Sequence, residues 1–289
     1  MTKLFLTRFA PSPTGHLHMG HAYSALKAFN MAKENGGTLL LRIEDIDITR
    51  CRKEYVSSIK EDLLWLGIEW SGDILIQSEK MAGYKKALNT LEKLGLTYPC
   101  FCTRADIKTQ IENSSNAPHG PDGILYPRTC STLSSKKIKT AISRGAPFAI
   151  RLDIKKSIEY LKNKKTWPLK FFDVKKGETK ANPEILGDIV LARKDIETSY
   201  HLAVTLDDHF QKITDIIRGD DLFFATHIHR ILQALLELDT PTYYHHSLLS
   251  NQNGERLSKR GEAISIKSFR QGSGSLNQFL DIMKSAPKS

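Results

Sequence analysis

The period of apolar and polar residues switches repeatedly along the first hundred positions. Leu4 to Phe9 form a short apolar run of strand length. From about His21 to Glu34 the apolar residues recur at helical spacing until Gly36-Gly37 stops the pattern. Thr38-Leu39-Leu40-Leu41-Arg42-Ile43 then reads as a buried strand. A second helix carries Tyr55, Ile59, Leu63 and Leu66 on one face, and a third carries Tyr84, Leu88 and Leu91 before Gly95. Strands alternating with helices in this way are what parallel βαβ winding requires.

Between about Cys100 and Gly187 the texture becomes polar turns, such as Asn113-Ser114-Ser115-Asn116, and lysine-rich runs such as Lys162-Asn163-Lys164-Lys165. The α/β pattern resumes with Ile189-Val190-Leu191-Ala192. A helix near Ser199 to Leu206, a strand around Ile213 to Ile217 and an apolar helix near His227 to Leu238 follow, and Pro241 closes the last. After Leu249 only a short tail is expected. The fold class predicted is thus α/β: a doubly wound, Rossmann-type parallel sheet in halves 1–99 and 188–249, interrupted by a smaller insertion at 100–187 and followed by a C-terminal segment at 250–289.

Charge adds a partner class. Against 32 Asp+Glu stand 42 Lys+Arg, a formal +10, and clustered cations favour phosphate backbones through counterion release. The runs Lys136-Lys137, Lys162 to Lys165 and Lys175-Lys176 are candidate RNA contacts or merely solvated faces. The N-terminal apolar run is too short for a signal peptide and no stretch approaches the length of a membrane span. A cytoplasmic protein is expected, with nothing demanding more than a monomer.

The richest chemistry lies at the first strand-to-helix turn, Arg8-Phe9-Ala10-Pro11-Ser12-Pro13-Thr14-Gly15-His16-Leu17-His18-Met19-Gly20-His21. Such a turn aims free N–H groups and a helix dipole outward, which makes an anion site. Gly20 permits close approach, and His18 and His21 stand three residues apart on one face. Far downstream, Gly254-Glu255-Arg256-Leu257-Ser258-Lys259-Arg260 is a polar, cationic loop. There Lys259 could neutralise charge on a departing pyrophosphate.

His18-Met19-Gly20-His21 and Leu257-Ser258-Lys259-Arg260 together resemble the two signatures of class I aminoacyl-tRNA synthetases. The second departs from the family pattern, with Arg256-Leu257 where Lys-Met is usual and Arg260 in place of the final Ser. The resemblance implies ATP binding by His18, Gly20, His21, Ser258 and Lys259. It also implies in-line attack of an amino acid carboxylate on the α-phosphate, with Mg2+ accompanying ATP.

For the amino acid, the residues themselves place Arg8 and Ser12 at the end of the first strand, and Arg42-Ile43-Glu44-Asp45-Ile46-Asp47 at the end of the next, where open α/β sheets bind ligands. Glu44 could face an ammonium group. The same stretches resemble the glutamyl branch of the family, as do Ser199 to Asp208 and Ile216 to Asp221. That resemblance implies glutamate contacts at Arg8, Ala10, Ser12, Glu44 and Tyr200, with Arg218 pairing with the γ-carboxylate. Val204 stands where full glutamyl-tRNA synthetases usually have Asn.

Cys100, Cys102 and Cys130 offer three soft ligands within a short span, and a reducing compartment argues against a disulfide and leaves either a metal site or simple burial of the thiols. His119 is the candidate fourth ligand from the residues alone. The resemblance instead implies Tyr126, in a structural zinc site of the kind found in the smaller glutamyl-Q branch. Cys51 reads as packed.

Only Gly261 to Ser289 follow the second signature, too few residues for an anticodon-reading domain. This again resembles the glutamyl-Q branch, whose members attach glutamate to queuosine in the anticodon loop of tRNA(Asp). The expected partners are therefore ATP, L-glutamate and the tRNA(Asp) anticodon stem-loop. The alternatives are a compact enzyme charging tRNA(Glu) and an inactive synthetase-like RNA-binding module.

Overall fold

The fold is described from a computed structural model, which covers residues 4–112, 119–121, 123–250 and 265–288. Strand β1 (Leu6–Phe9) leads into helix α1 (Met19–Glu34), then β2 (Thr38–Ile43), α2 (Lys53–Trp65), β3 (Leu75–Ile76) and α3 (Met81–Lys93). Helix α1 turns Met19, Ala22, Ala25, Ala28 and Ala32 inward, and this stripe of mostly small side chains lets it sit close on the strands. Next come β4 (Thr97–Cys100), α4 (Arg104–Glu112), β5 (His119–Gly120), β6 (Gly123–Ile124), α5 (Ser135–Ser143), β7 (Ala149–Leu152) and α6 (Ile154–Asn163). The chain continues through β8 (Lys170–Asp173), β9 (Gly177–Lys180), β10 (Val190–Ala192), α7 (Tyr200–Phe210), β11 (Asp215–Gly219), α8 (Ala225–Leu235) and β12 (Thr242–His246). Helices α9 (Ile266–Gln271) and α10 (Leu276–Ser285) end it.

Strands β1, β2 and β3 pair in parallel, as the alternating pattern predicts. Strand β11 pairs in parallel with β12, and β12 with β8, while β8 turns back antiparallel into β9. The two sheets meet where Thr214 N–H donates to Leu6 O at 2.9 Å and Leu6 N–H to Thr214 Oγ1 at 2.8 Å. The ends of β1, β2 and β11 consequently open on the same side, where such sheets bind ligands.

Two expectations need correction. The apolar run at Ile189–Ala192 does not resume the parallel winding: β10 pairs antiparallel with β7, which pairs antiparallel with β4. A run of three or four apolar residues has no direction of its own, so its partners decide the sense. Nor is the region after Leu249 simply a tail. Helices α9 and α10 start at Ser265 and Ser275, whose side chains accept from the backbone N–H groups of Ser268 and Gln278. They bury Ile266, Phe279 and Met283 against α1 and α2 in the core. The architecture is an α/β fold with mixed sheets rather than a uniformly parallel one. Among the described residues no helix is long and apolar enough to cross a membrane.

Candidate active site

The first signature builds its own helix start. His18 caps α1 by accepting from Gly20 N–H at 3.1 Å, and His21 Nδ1 accepts from His18 N–H at 3.2 Å. This is a capping box made from histidines. It stacks the two rings with centroids 3.7 Å apart and holds both at the positive end of the helix. Ser265 is bridged to His18, and Ile266 N–H donates to Leu17 O at 2.8 Å. Leu248 and Leu249 line the same cavity as His18 and His21. Both flanks of segment 251–264 thus reach this site. Ser258 and Lys259 themselves lie outside the described residues.

That cavity, of about 400 Å³, also draws together Arg8, Ala10, Ser12, Glu44, Tyr200 and Arg218. Every described residue expected to bind glutamate or ATP faces one space, although the sequence scatters them over more than two hundred positions. Gly219 follows Arg218 at the mouth of β11, and a Cβ there would collide with Asp221 and Leu248. Val204 is buried in α7, one helical turn beyond Tyr200.

Beneath the cavity runs a charged lattice. Asp208 Oδ1 accepts from Arg8 Nε at 2.8 Å and from Arg42 Nη2 at 2.5 Å. Burial alone would raise the Asp208 pKa, but the two guanidinium groups outweigh it and hold the carboxyl below its usual range. Asp207 accepts from Gln77 Nε2 at 2.7 Å and Tyr84 Oη at 2.9 Å. Glu44 stands above them with a side chain only 10 % exposed, its nearest cation Arg42 at 3.8 Å. Burial pushes its pKa up to about 7; Arg42 and Arg8 oppose the shift, while Asp207 and Asp208 add to it.

Arg218 sits in a different environment. Its Nε donates to His245 Nε2 at 3.1 Å, Nη1 to His229 Nδ1 at 3.2 Å and Nη2 to Thr226 Oγ1 at 2.6 Å. Behind it, His245 Nδ1 donates to Asp173 Oδ2 at 2.7 Å, and His229 Nε2 meets His201 Nδ1 at 3.3 Å. Tyr200 packs edge-on against both His201 and His229. Burial raises its hydroxyl pKa to about 12, so the phenol stays a donor.

Asp208, Thr226, His229 and His245, none of them among the expected site residues, also belong to the surroundings of the cavity. The Asp207-Asp208 doublet and the pairs His227-Ile228-His229 and His245-His246 were visible signals, since buried acids and histidines require partners. For Asp208 and His245 the partners, Arg8, Arg42 and Asp173, come from strands far away in the chain.

A second cavity, of about 960 Å³, adjoins the first through Ser12, Glu44 and Tyr200 and reaches to Arg50, Arg104, Arg193 and Lys194. Cys102 and Tyr126 line its far wall. The thiols of Cys100, Cys102 and Cys130 lie within 4.8 Å of one another, as a metal ion requires. Tyr126 Oη is 3.8 Å from Cys102 Sγ and accepts from Cys130 N–H at 2.9 Å. The side chain of His119 lies outside the described residues.

The family described as class I tRNA synthetases (E and Q), catalytic domain, matches residues 5–281, and the chain belongs to it. Glutamyl-Q tRNA(Asp) synthetase of Rhodobacter capsulatus is 42% identical over 270 residues, covering 92% of this chain and 94% of that protein. The protein of the same name from Nitratidesulfovibrio vulgaris is 37% identical, over 91% of this chain and 80% of its own length. A crystal structure of a glutamate tRNA ligase from Elizabethkingia meningosepticum, in complex with its amino acid, superposes with a TM-score of 0.70 at 25% identity. It covers 94% of this chain, which spans only 53% of the ligase. Within the family the chain stands with the glutamyl-Q tRNA(Asp) synthetases.

Proposed function

We propose that this chain is an ATP-dependent ligase that converts glutamate to glutamyl-adenylate and transfers the glutamyl group to queuosine in the anticodon loop of tRNA(Asp). The observation that carries the reading is the 400 Å³ cavity, which sets the start of α1 beside two buried guanidinium groups and one strongly perturbed carboxyl. It is supported by relatives of that name, which match the chain along nearly its whole length.

In this reading the side-chain carboxylate of glutamate lies against Arg218, Arg8 supplies a second cation, and Glu44 ionises when the α-ammonium arrives. Ala10, Ser12 and Tyr200 shape the pocket. His18, Gly20 and His21 receive the phosphates at the helix start, with Ser258 and Lys259 contributing from the second signature. Magnesium bound with ATP would add charge neutralisation. An oxygen of the glutamate α-carboxylate attacks the α-phosphorus, the bond to the β-phosphate oxygen breaks, and pyrophosphate leaves. Catalysis here is positioning and electrostatic stabilisation, with no covalent enzyme intermediate. The adjoining cavity, rimmed by Arg50, Arg104, Arg193 and Lys194, is the route for the acceptor loop. A hydroxyl of the acceptor attacks the activated carbonyl carbon and AMP departs.

The three thiols fit zinc, a borderline-soft ion that favours thiolates in four-coordinate structural sites, and the Tyr126 hydroxyl stands beside them as the fourth ligand. Bound there it would be structural, tying β4 to the chain around Cys130. The protein would work in the cytoplasm, where its tRNA partner is found.

Glutamate-dependent exchange of pyrophosphate into ATP, without tRNA, tests the activation step. Exchange is expected with glutamate and not with glutamine. Its complete absence would refute the reading and leave an inactive RNA-binding module.

A further inference from the structure

A guanidinium taken out of water needs acceptors for its N–H groups and an anion for its charge, and these are separate requirements. For Arg8 and Arg42, Asp208 is acceptor and anion at once. Arg218, 5 % exposed, meets only the first, because its hydrogen-bond partners among the described residues are His245, His229 and Thr226. None carries a negative charge.

The proton positions in this cluster are dictated by its neighbours. Asp173 already accepts from the N–H groups of Lys175 and Lys176 at 2.9 Å, so it is held as a carboxylate and takes the His245 Nδ1 proton. The lone pair of His245 Nε2 is thereby turned to Arg218. On the other side, Arg218 donates to His229 Nδ1, which leaves the His229 proton on Nε2 facing His201 Nδ1. All three rings are neutral. Burial first and the Arg218 charge second push His245 and His201 down to about 4 and His229 well below its ordinary value.

We propose that His229 and His245 are specificity-determining positioning residues: neutral acceptors that fix the Arg218 guanidinium without cancelling its charge, so that the amino acid side chain must supply the missing anion. The inference rests on the reading that Arg218 receives the substrate's side-chain carboxylate. Aspartate or glutamate at position 229 would give the same hydrogen bond but would also provide the counter-ion, and the site would lose its demand for a charged substrate. A carboxamide at the same position would keep the acceptor and the demand. Discrimination between glutamate and glutamine therefore depends on residues that never touch the substrate.

The test uses pyrophosphate exchange at varied glutamate and glutamine with His229→Gln, His229→Glu and Arg218→Gln, each checked for folding by thermal unfolding. His229→Gln is expected to keep the glutamate KM within about threefold. His229→Glu is expected to raise it by about tenfold or more at nearly unchanged kcat, and to narrow the preference for glutamate over glutamine by a similar factor. Arg218→Gln is expected to lose glutamate binding almost entirely. A wild-type KM and preference in His229→Glu, with binding lost in Arg218→Gln, would overturn the inference while leaving the role of Arg218 intact. A wild-type KM in Arg218→Gln would instead overturn the reading beneath it. Should His229→Glu not fold, His245→Leu replaces it, since loss of one acceptor frees the guanidinium to turn; an unchanged glutamate KM there would overturn the inference equally.

Discussion

Replacing Glu44 with Gln is expected to stabilise the ligand-free protein while disabling it. Burial raises the Glu44 pKa from its ordinary 4.5 to about 7, and each tenfold change in proton affinity is worth about 1.4 kcal/mol. Holding this side chain ionised thus costs the empty fold about 3 kcal/mol. The folded state keeps the proton longer than the unfolded one, so between about pH 4.5 and 7 the folded state binds more protons and stability falls as pH rises. Glu44→Gln removes that dependence. Thermal unfolding of both proteins across pH 4 to 8.5 should show nearly equal midpoints at the acid end. Above pH 7 the variant should be the more stable by roughly 6–12 °C, at about 2–4 °C per kcal/mol for large domains. Saturating glutamate should close the gap, because its ammonium compensates the carboxylate of the wild type only. A difference that does not change with pH, or a wild type more stable at pH 8, would refute the assignment of a strained carboxyl to this position.

Asp208→Asn should destabilise by about 3 kcal/mol, since it leaves Arg8 and Arg42 buried without their shared anion. The folded-state pKa of Asp208 is depressed, so that contribution is present above the ordinary carboxylate range and is lost as pH falls through the lower value; the two unfolding midpoints should be furthest apart near pH 7 and draw together as the pH is lowered. Lys259→Ala should lower pyrophosphate exchange by about tenfold or more, and a near wild-type rate would remove the role given to that lysine. Purified protein should carry about one zinc per chain by elemental analysis, with little left in Cys130→Ser; equal contents would show that the thiols do not hold it.

Much of the framework was legible because it is written locally. The β1–α1–β2 unit follows from a strand-length run, a helical stripe ending in glycines and a second apolar run. The motif residues of the cavity were legible for the same reason, being short strings at strand ends. What was hidden is what depends on distant partners. Strand β12, Thr242-Tyr243-Tyr244-His245-His246, reads as polar, yet His245 is buried because Asp173 on β8 awaits it. Strand β10 is legible as an apolar run but its sense is not, because antiparallel pairing with β7 leaves no trace in three residues. Asp208 reaches Arg8 across a separation of 200 residues, and no local window can report that. Helices α9 and α10 give no clear periodic signal because Lys, Arg, Gln and Ser dilute the few apolar residues that anchor them.

The most direct measurement offers labelled glutamate and ATP, with the purified protein, to tRNA(Asp) containing queuosine, to tRNA(Asp) lacking it and to tRNA(Glu), then maps the label by nuclease digestion. Label is expected only on queuosine-containing tRNA(Asp), in the anticodon-loop fragment. Equal labelling of both forms of tRNA(Asp), or labelling confined to the 3′ end of tRNA(Glu), would contradict the proposed acceptor.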